Sequence, residues 1–317
     1  MNKKFLVFVY GLIITMILSL NSSLSQRPTP IIFDSDMGPD YDDVGAIALL
    51  HALADSGEAK ILATVGSNRY PQIAEVFDVL NTYFGRGEIP IGVPQGACVE
   101  MKDWQGWSEI ITEDYPHDIE ANDEVPSSVE VYRKVLSQQP DHSVTIVTVG
   151  FLTNLAKLLE TNSDQYSSLS GRELVQKKVT RLVSMAGRFP YGQEEFNVLK
   201  DIPAADYVFE NWPTEIVFSG FKIGAKIKTG IPLINNKSIK NNPVKDVYKI
   251  SINQREQDQD GRMSWDQTAV LVAVKGAAPY YYLVPGKICV DAEGKTRWKT
   301  SKSGHYRIKK KKSVSFM

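Results

Sequence analysis

The stretch IIFDSDMGPDYDD, residues 31–43, decides how the rest of the chain is read. It begins as a short apolar run, then places five aspartates (Asp34, Asp36, Asp40, Asp42 and Asp43) within ten residues, and leads into the helix-like pattern of residues 44–53. A buried strand that ends in an acidic loop and continues as a helix is half of a βαβ unit. The same rhythm returns in residues 59–65 followed by 73–83, and in 144–149 followed by 154–160. Short apolar runs alternating with helical periodicity predict an α/β fold: an open, mostly parallel sheet with helices on both faces. Further strands are expected at 179–185 and 215–219, with helices at 203–210 and 265–275, while the polar residues 104–126 read as a long loop. No fixed-period repeat is present, and one α/β domain over residues 26–317 is expected.

Composition narrows the function classes. The formal net charge of −1 argues against a dedicated polyanion binder, so no nucleic-acid partner is expected. The basic run at residues 309–312 reads as a solvated tail. Lys3 and Lys4 precede an uncharged, largely apolar stretch over residues 5–20, and Ser23-Leu24-Ser25 supplies small residues before a cut. That layout predicts a signal peptide over residues 1–25 and an exported protein, periplasmic or extracellular, with no stable membrane association after cleavage. An uncleaved anchor is the alternative. Cys98 and Cys289 stand far apart and could pair or remain free thiols. His51, His117, His142 and His305 are scattered singly, without zinc-ligand spacing.

In open parallel sheets, ligands gather beyond the carboxyl ends of the strands. Here those ends carry the aspartate cluster, Ser67 and Asn68 after Gly66, the turn Gly150-Phe151-Leu152-Thr153-Asn154, the loop Glu194-Glu195-Phe196-Asn197, and Ser264-Trp265-Asp266. Several carboxylates with no cation nearby in sequence call for a hard divalent ion, which takes six to eight oxygens. An EF-hand does not account for them, because the twelfth position of a loop begun at Asp34 is Gly45, where glutamate is required. Helix capping could employ Asp40 or Asp42, with Asp43 favouring the helix dipole, but leaves Asp34 and Asp36 unexplained.

Taken together, Asp34-x-Asp36-x-Gly38 with Asp42-Asp43-x-x-Ala46, Asn68, Gly150-x-Leu152-Thr153-Asn154, Glu195-Phe196-Asn197 and Asp266 resemble the nucleoside hydrolases, the inosine/uridine-preferring type and its relatives. The resemblance runs in order over residues 30–274. It implies a Rossmann-like architecture, a nucleoside substrate, a calcium ion, and hydrolysis of the N-glycosidic bond to free base and ribose. It also implies that Asp36, Asp43, Asp266 and the Val149 carbonyl hold the calcium, with Asp36 also the base that takes a proton from water. Asp42, Asn68, Glu195 and Asn197 would grip the ribose, Asp34 would support the site from behind, and a homo-oligomer is expected on the same ground.

The chain departs from the family's pattern in three places. Two residues among Pro39, Asp40 and Tyr41 are inserted, which leaves Asp40 as a competitor of Asp42 for the sugar. The asparagine expected before Glu195 has only Gln193 as a weak counterpart. Trp265 stands where the inosine/uridine-preferring enzymes carry a histidine, and indole cannot protonate a leaving base. Trp265 is therefore expected to select or orient the base, and the polar residues 254–262 to form a mobile flap. Two other readings remain: an exported nucleoside- or sugar-binding protein with degenerate catalysis, and a haloacid dehalogenase-type phosphatase built on Asp34-Ser35-Asp36. The residues after Asp36 do not suit the phosphatase.

Overall fold

The computed structural model describes residues 27–190 and 192–311; the expected signal peptide and Lys312 of the basic run lie outside the described residues. Its strands are β1 (Thr29–Ser35), β2 (Ala59–Gly66), β3 (Ile91–Gly92), β4 (Val144–Thr148), β5 (Val179–Ser184), β6 (Gln193–Glu194), β7 (Glu215–Phe218), β8 (Lys228–Thr229), β9 (Arg262–Met263), β10 (Tyr281–Val290), β11 (Lys295–Lys299) and β12 (His305–Lys310). Ten of them form one sheet in the order β3-β2-β1-β4-β5-β7-β12-β10-β11-β6, and β8 and β9 form a separate ladder. The first seven in that order run parallel, as the βαβ rhythm predicts. β10, β11 and β6 close the far side in antiparallel pairing.

The strands read as continuous apolar runs because both faces of the sheet are covered. Ile31 and Phe33 enter the core beneath the helices Asp42–Asp55 and Trp265–Lys275, while Ile32 enters the opposite core. Val147 and Ile146 divide in the same way, as do Val217 and Ile216. Successive strand residues point to opposite faces, so this alternation supplies two cores from one ribbon. β2 lies on one side of β1 and β4 on the other. The chain thus leaves β1 and β4 in diverging directions, and the crevice between their carboxyl ends is the switch point where such folds take ligands.

Three segments differ from the sequence reading. Residues 104–126 contain the helix Trp107–Asp114 and a short 3-10 turn, Asn122–Glu124. Its inward face is Trp107, Ser108, Ile111 and Thr112, of which only Trp107 and Ile111 are apolar, so the helical period was hidden. The segment expected as a flap ends the helix Pro243–Gln254, makes the turn Glu256–Asp258 and enters β9. Asp258 and Arg262 are buried there, because each finds an opposite charge. Finally, Lys309 and Lys310 belong to β12 instead of a tail, paired against Tyr282 and Tyr281.

Candidate active site

The crevice between β1 and β4 opens into a cavity of about 140 Å3 lined by Asp36, Asp40, Asp42, Asp43, Val149, Met185, Glu195, Phe196, Asn197, Phe221, Trp265 and Asp266. Eight of the nine residues singled out from the sequence therefore meet at one place. Asn68 stands behind it: its Nδ2 donates to the Asp36 carbonyl at 3.2 Å and the Met101 carbonyl at 2.8 Å, and its Oδ1 accepts from the Met101 and Tyr70 amides.

β1 delivers the aspartates at different depths. Asp34, still within the strand and fully buried, accepts hydrogen bonds from Tyr132 Oη (2.9 Å), Asn154 Nδ2 (3.0 Å) and Thr148 Oγ1 (3.2 Å). Burial raises its carboxyl to about 6 even so, and it ties β1 to β4 and to the helices Ser128–Ser137 and Thr153–Glu160. Asn154 is thus spent on the site and not on capping its own helix, which starts without a side-chain cap. Asp36 follows at the mouth of the crevice. Gly150, after β4, passes so close that a Cβ there would lie 2.2 Å from the Asp36 amide nitrogen, so only glycine fits.

Asp43 accepts a hydrogen bond from Ser35 Oγ, and Asp42 and Asp43 open the helix Asp42–Asp55. Asp42, Asp43 and Asp266 bring one carboxylate oxygen each within 4.8 Å of one another, all three residues being buried. Burial and the neighbouring carboxylates push Asp36 and Asp266 well above the ordinary carboxylate range, and push Asp43 to about 7. Such shifts mark a site whose negative charge is incompletely balanced.

Part of the balance comes from a residue that the sequence reading left unassigned. Arg262, buried at 1 % side-chain exposure, donates from Nε and Nη2 to Asp42 Oδ1 at 3.0 and 2.8 Å, also contacts Asp40 Oδ2, and lies 3.6 Å from Asp258 Oδ2. Its guanidinium is sandwiched between the rings of Tyr41 and Trp265, 4.9 Å from each centroid. Burial opposes its charge, but Asp42 and Asp40 outweigh that and hold it firmly protonated. Tyr41 Oη in turn donates to Asp258. The inserted Asp40 and Tyr41 and the segment from Asp258 to Trp265 thus form one buried polar unit. The signal was present in the sequence as a lone arginine three residues before Trp265.

This unit changes the environment of the paired aspartates. Both oxygens of Asp42 are engaged, Oδ1 by Arg262 and Oδ2 by the Trp265 and Asp266 amides at 3.2 and 3.4 Å, so Asp42 caps the helix Trp265–Lys275 from across the site. Asp40 also lines the cavity, its buried Oδ1 without a hydrogen-bond partner but 3.9 Å from Arg255 Nη1. No ion pair reaches Asp36, Asp43 or Asp266 among the described residues. Asp36, Asp43, Val149 and Asp266 line one cavity, and a cluster of carboxylates of which Asp42, Asp43 and Asp266 approach most closely is the oxygen chemistry that suits a hard divalent cation.

Opposite the acids, Glu195 opens the helix Phe196–Lys200, its side chain accepting from the amides of Asn197, Val198 and Gly187. Burial raises it, against those bonds. Asn197 Nδ2 donates to the carbonyls of Val149 (2.7 Å) and Met185 (3.0 Å). The rim is aromatic: the Trp265 indole donates Nε1 to the Phe221 carbonyl at 2.8 Å and packs on the Phe221 ring, centroids 4.9 Å apart. Phe196, between the two sugar-gripping candidates, lies edge-on to Trp104 at 5.8 Å. The sequence reading quoted Phe196 without giving it a task, and Phe221 lay outside every motif.

Known proteins share this layout. The sequence profile described as "inosine-uridine preferring nucleoside hydrolase" matches residues 31–316. The pyrimidine-specific ribonucleoside hydrolase RihA of Salmonella newport is 30% identical over 217 residues, which cover 62% of this chain and 61% of RihA, less than two thirds of that protein. Among solved structures, the purine-preferring ribonucleoside hydrolase from Gardnerella vaginalis superposes with a TM-score of 0.67 at 18% identity, over 88% of this chain and 92% of that one. The inosine-uridine preferring nucleoside hydrolase from Bacillus anthracis gives a TM-score of 0.66 at 15% identity, over 88% and 93%. At those identities the superpositions speak for the fold.

Proposed function

The chain belongs to the inosine-uridine preferring nucleoside hydrolase family, and we propose that it hydrolyses the N-glycosidic bond of a ribonucleoside with the help of a calcium ion. The observation that supports this reading is a single cavity lined by Asp36, Asp43, Val149 and Asp266 together with Glu195, Asn197 and the aromatic side chains of Phe196, Phe221 and Trp265. Such donors fit calcium, and Asp36, Asp43, Asp266 and the Val149 carbonyl would hold it. When bound, calcium supplies the positive charge that keeps these carboxylates ionised and acidifies water placed against them.

The chain's own residues supply the rest. Asp36, buried and free of ion pairs among the described residues, accepts the proton from a water directed at the anomeric carbon. Glu195, fixed by three backbone amides, presents its remaining lone pairs to a ribose hydroxyl, and Asn197 offers Oδ1 while its Nδ2 stays on the Val149 and Met185 carbonyls. Positive charge builds on the sugar in an oxocarbenium-like transition state, and the surrounding oxygens stabilise it more than they stabilise the neutral sugar. The enclosed volume is well below the ~300–1,000 Å3 usual for a whole small-molecule site. The cavity therefore houses the ribose, and the base rests at the rim against Trp265, Phe221 and Phe196.

Three details follow from the geometry. Asn68, with its amide fully engaged, serves by gripping the Asp36 backbone. For the sugar carboxylate we keep Asp42, with Asp40 as its competitor: both line the cavity and both pair with Arg262. The Trp265 Nε1–H is committed to the Phe221 carbonyl, so the indole orients the base by stacking, and the leaving base takes its proton from solvent. The relatives' names divide between pyrimidine-specific and purine-preferring enzymes and point to no single base. We further propose that the chain is exported by its N-terminal segment, folds over residues 26–317 as one domain, and assembles into a homo-oligomer.

The test is free ribose measured after incubation with a panel of purine and pyrimidine nucleosides, with and without a calcium chelator, for the parent and for Asp36→Asn. Ribose release that stops on chelation and in the variant is expected. Tight nucleoside binding without release would turn the reading to a binding protein, and phosphate release from monophosphates would turn it to a phosphatase.

A further inference from the structure

The basic run left over from the sequence is part of a surface. A groove of about 760 Å3, lined by Lys222, Ile223, Lys226, Ile227, Leu271, Pro279, Tyr280, Tyr281, Lys309, Lys310 and Lys311, runs between the short helix Phe221–Gly224, the helix Trp265–Lys275 and the ends of β10 and β12. Its rim is lysine and its floor aliphatic, and no carboxylate lines it. Beside it, Tyr280 and Tyr282 are each 57% exposed and Leu283 is 42% exposed, the ammonium of Lys311 lying 5.1 Å over the Tyr282 ring. Three large apolar or amphipathic side chains standing out together at one strand end are unusual on a surface with no partner.

Charge and position agree on what covers this face. The whole chain has a net charge of −1, yet five lysines and no carboxylate line this groove, which makes the surface locally positive. Thr29, where β1 begins, shares a small pocket with Val274 and Ala278, and Ala278 adjoins Pro279 of the groove. β1 thus begins beside the lysine-tyrosine face. Tyrosine at the level of the headgroups, aliphatic side chains just below, and lysine opposite anionic phosphates is the chemistry of a bilayer interface. A single-stranded nucleic acid would use the lysines and tyrosines but gains nothing from the aliphatic floor.

We propose that this face docks reversibly on an anionic lipid bilayer and so holds the cavity-bearing protein at a membrane surface. The association is electrostatic and salt-sensitive, with the two exposed tyrosines, Tyr280 and Tyr282, entering the interface. It is independent of the proposed hydrolysis, since none of the groove residues lines the catalytic cavity.

The chain from Gln26 onward, the mature form expected after export, is the test object, its folding first checked by circular dichroism and a cooperative melt. It should sediment with vesicles of phosphatidylcholine mixed with phosphatidylglycerol, stay in solution with phosphatidylcholine alone, and leave the anionic vesicles as salt is raised. Lys226→Glu/Lys309→Glu/Lys310→Glu, checked for an unchanged circular-dichroism spectrum and melting temperature, should lower the bound fraction roughly tenfold or more. Tyr280→Ser/Tyr282→Ser should weaken binding with the lysines intact. No binding to the anionic vesicles, or equal binding by the triple variant, overturns the proposal. Complete displacement from vesicles by an oligonucleotide at equal charge concentration also overturns it, and assigns the face to nucleic acid. Ribose release in solution, measured alongside, reads the catalytic proposal separately.

Discussion

Replacing Arg262 by methionine should be among the most damaging single changes in the molecule outside the apolar core. Methionine preserves much of the stem between Tyr41 and Trp265 but removes the cation from three carboxylates, of which Asp42 and Asp258 are 2% and 0% exposed and cannot turn to water. Removing one partner of a buried ion pair costs about 3–5 kcal/mol because the remaining charge is left uncompensated. Loss of the two ring contacts adds about 0.5–1 kcal/mol. At neutral pH a total of about 3–6 kcal/mol is expected, a large part of the ~5–15 kcal/mol available to a domain, and a fall in melting temperature of roughly 6–20 °C. Urea unfolding followed by circular dichroism measures it directly.

The pH dependence distinguishes this cause from a packing defect. Burial holds the Asp40 carboxyl at about 6 against the pull of Arg262, so without the arginine it rises further. A carboxyl raised in the folded state takes up a proton as pH falls, and its penalty fades below that value. The deficit of Arg262→Met should therefore shrink by about 1 kcal/mol or more between about pH 7 and pH 5. Arg262→Lys, which retains charge but not the two-pronged contact with Asp42, should lie in between, at about 1–3 kcal/mol. A loss below about 1 kcal/mol at pH 7, or one of equal size at both pH values, would refute the view that Arg262 balances the acidic cluster.

Further expectations concern the site itself. The raised carboxyls of Asp34 and Asp43, at about 6 and 7, favour the fold below their unfolded value and lose that contribution as pH rises through 6 to 7, while His51, lowered to about 4 by burial, works in the opposite sense between 6.5 and 4. Calcium binds the ionised carboxylates, so the melting-temperature gain on adding it should be clearly larger at about pH 7.5 than at about pH 5; equal gains at both would put the ion elsewhere. Gly150→Ala forces a Cβ to within 2.2 Å of the Asp36 amide nitrogen. It should cost about 1–3 kcal/mol of stability, and a displaced Asp36 should lower ribose release about 100-fold; near-parent activity would show that the two loops can part without consequence. Trp265→Ala removes the stacking surface and should reduce kcat/KM about tenfold on a purine nucleoside with less effect on thermal stability than Arg262→Met, whereas an unchanged value would remove the base from that rim.

The parallel half of the fold was legible because buried strands write themselves as apolar runs of β-branched residues: residues 31–33, 144–149 and 179–184 needed only their periodicity and the helices between them. The antiparallel side was not legible. β11 is rich in lysine and arginine and β10 carries Pro285 and Gly286 in its middle, patterns a lone sequence cannot separate from loop. Eight proposed site residues meet in one cavity because strand ends in this topology converge, a property of the architecture that can be read before any distance is known. Arg262 escaped notice because Asp40 and Asp42 lie more than two hundred residues away, and a polar segment holding a buried cation looks the same in sequence as one that faces water. Asp40 and Asp42 could not be told apart for the same reason: both reach Arg262, and which of them meets the sugar is decided across the fold and not along the loop.

The bond from Arg262 to Asp42 spans 220 positions, and that span has a consequence for how the chain comes to be active. The ribosome delivers the aspartate loop first and the arginine much later, so the early part of the chain passes through a stage in which its carboxylates lack their counter-charge. Contacts between such distant positions form late, after the loop between them has been closed at an entropic cost. Catalytic competence should therefore arise in a single late event, when the segment from Asp258 to Asp266 docks, and a chain interrupted before that point should be inert however much of its sheet has formed.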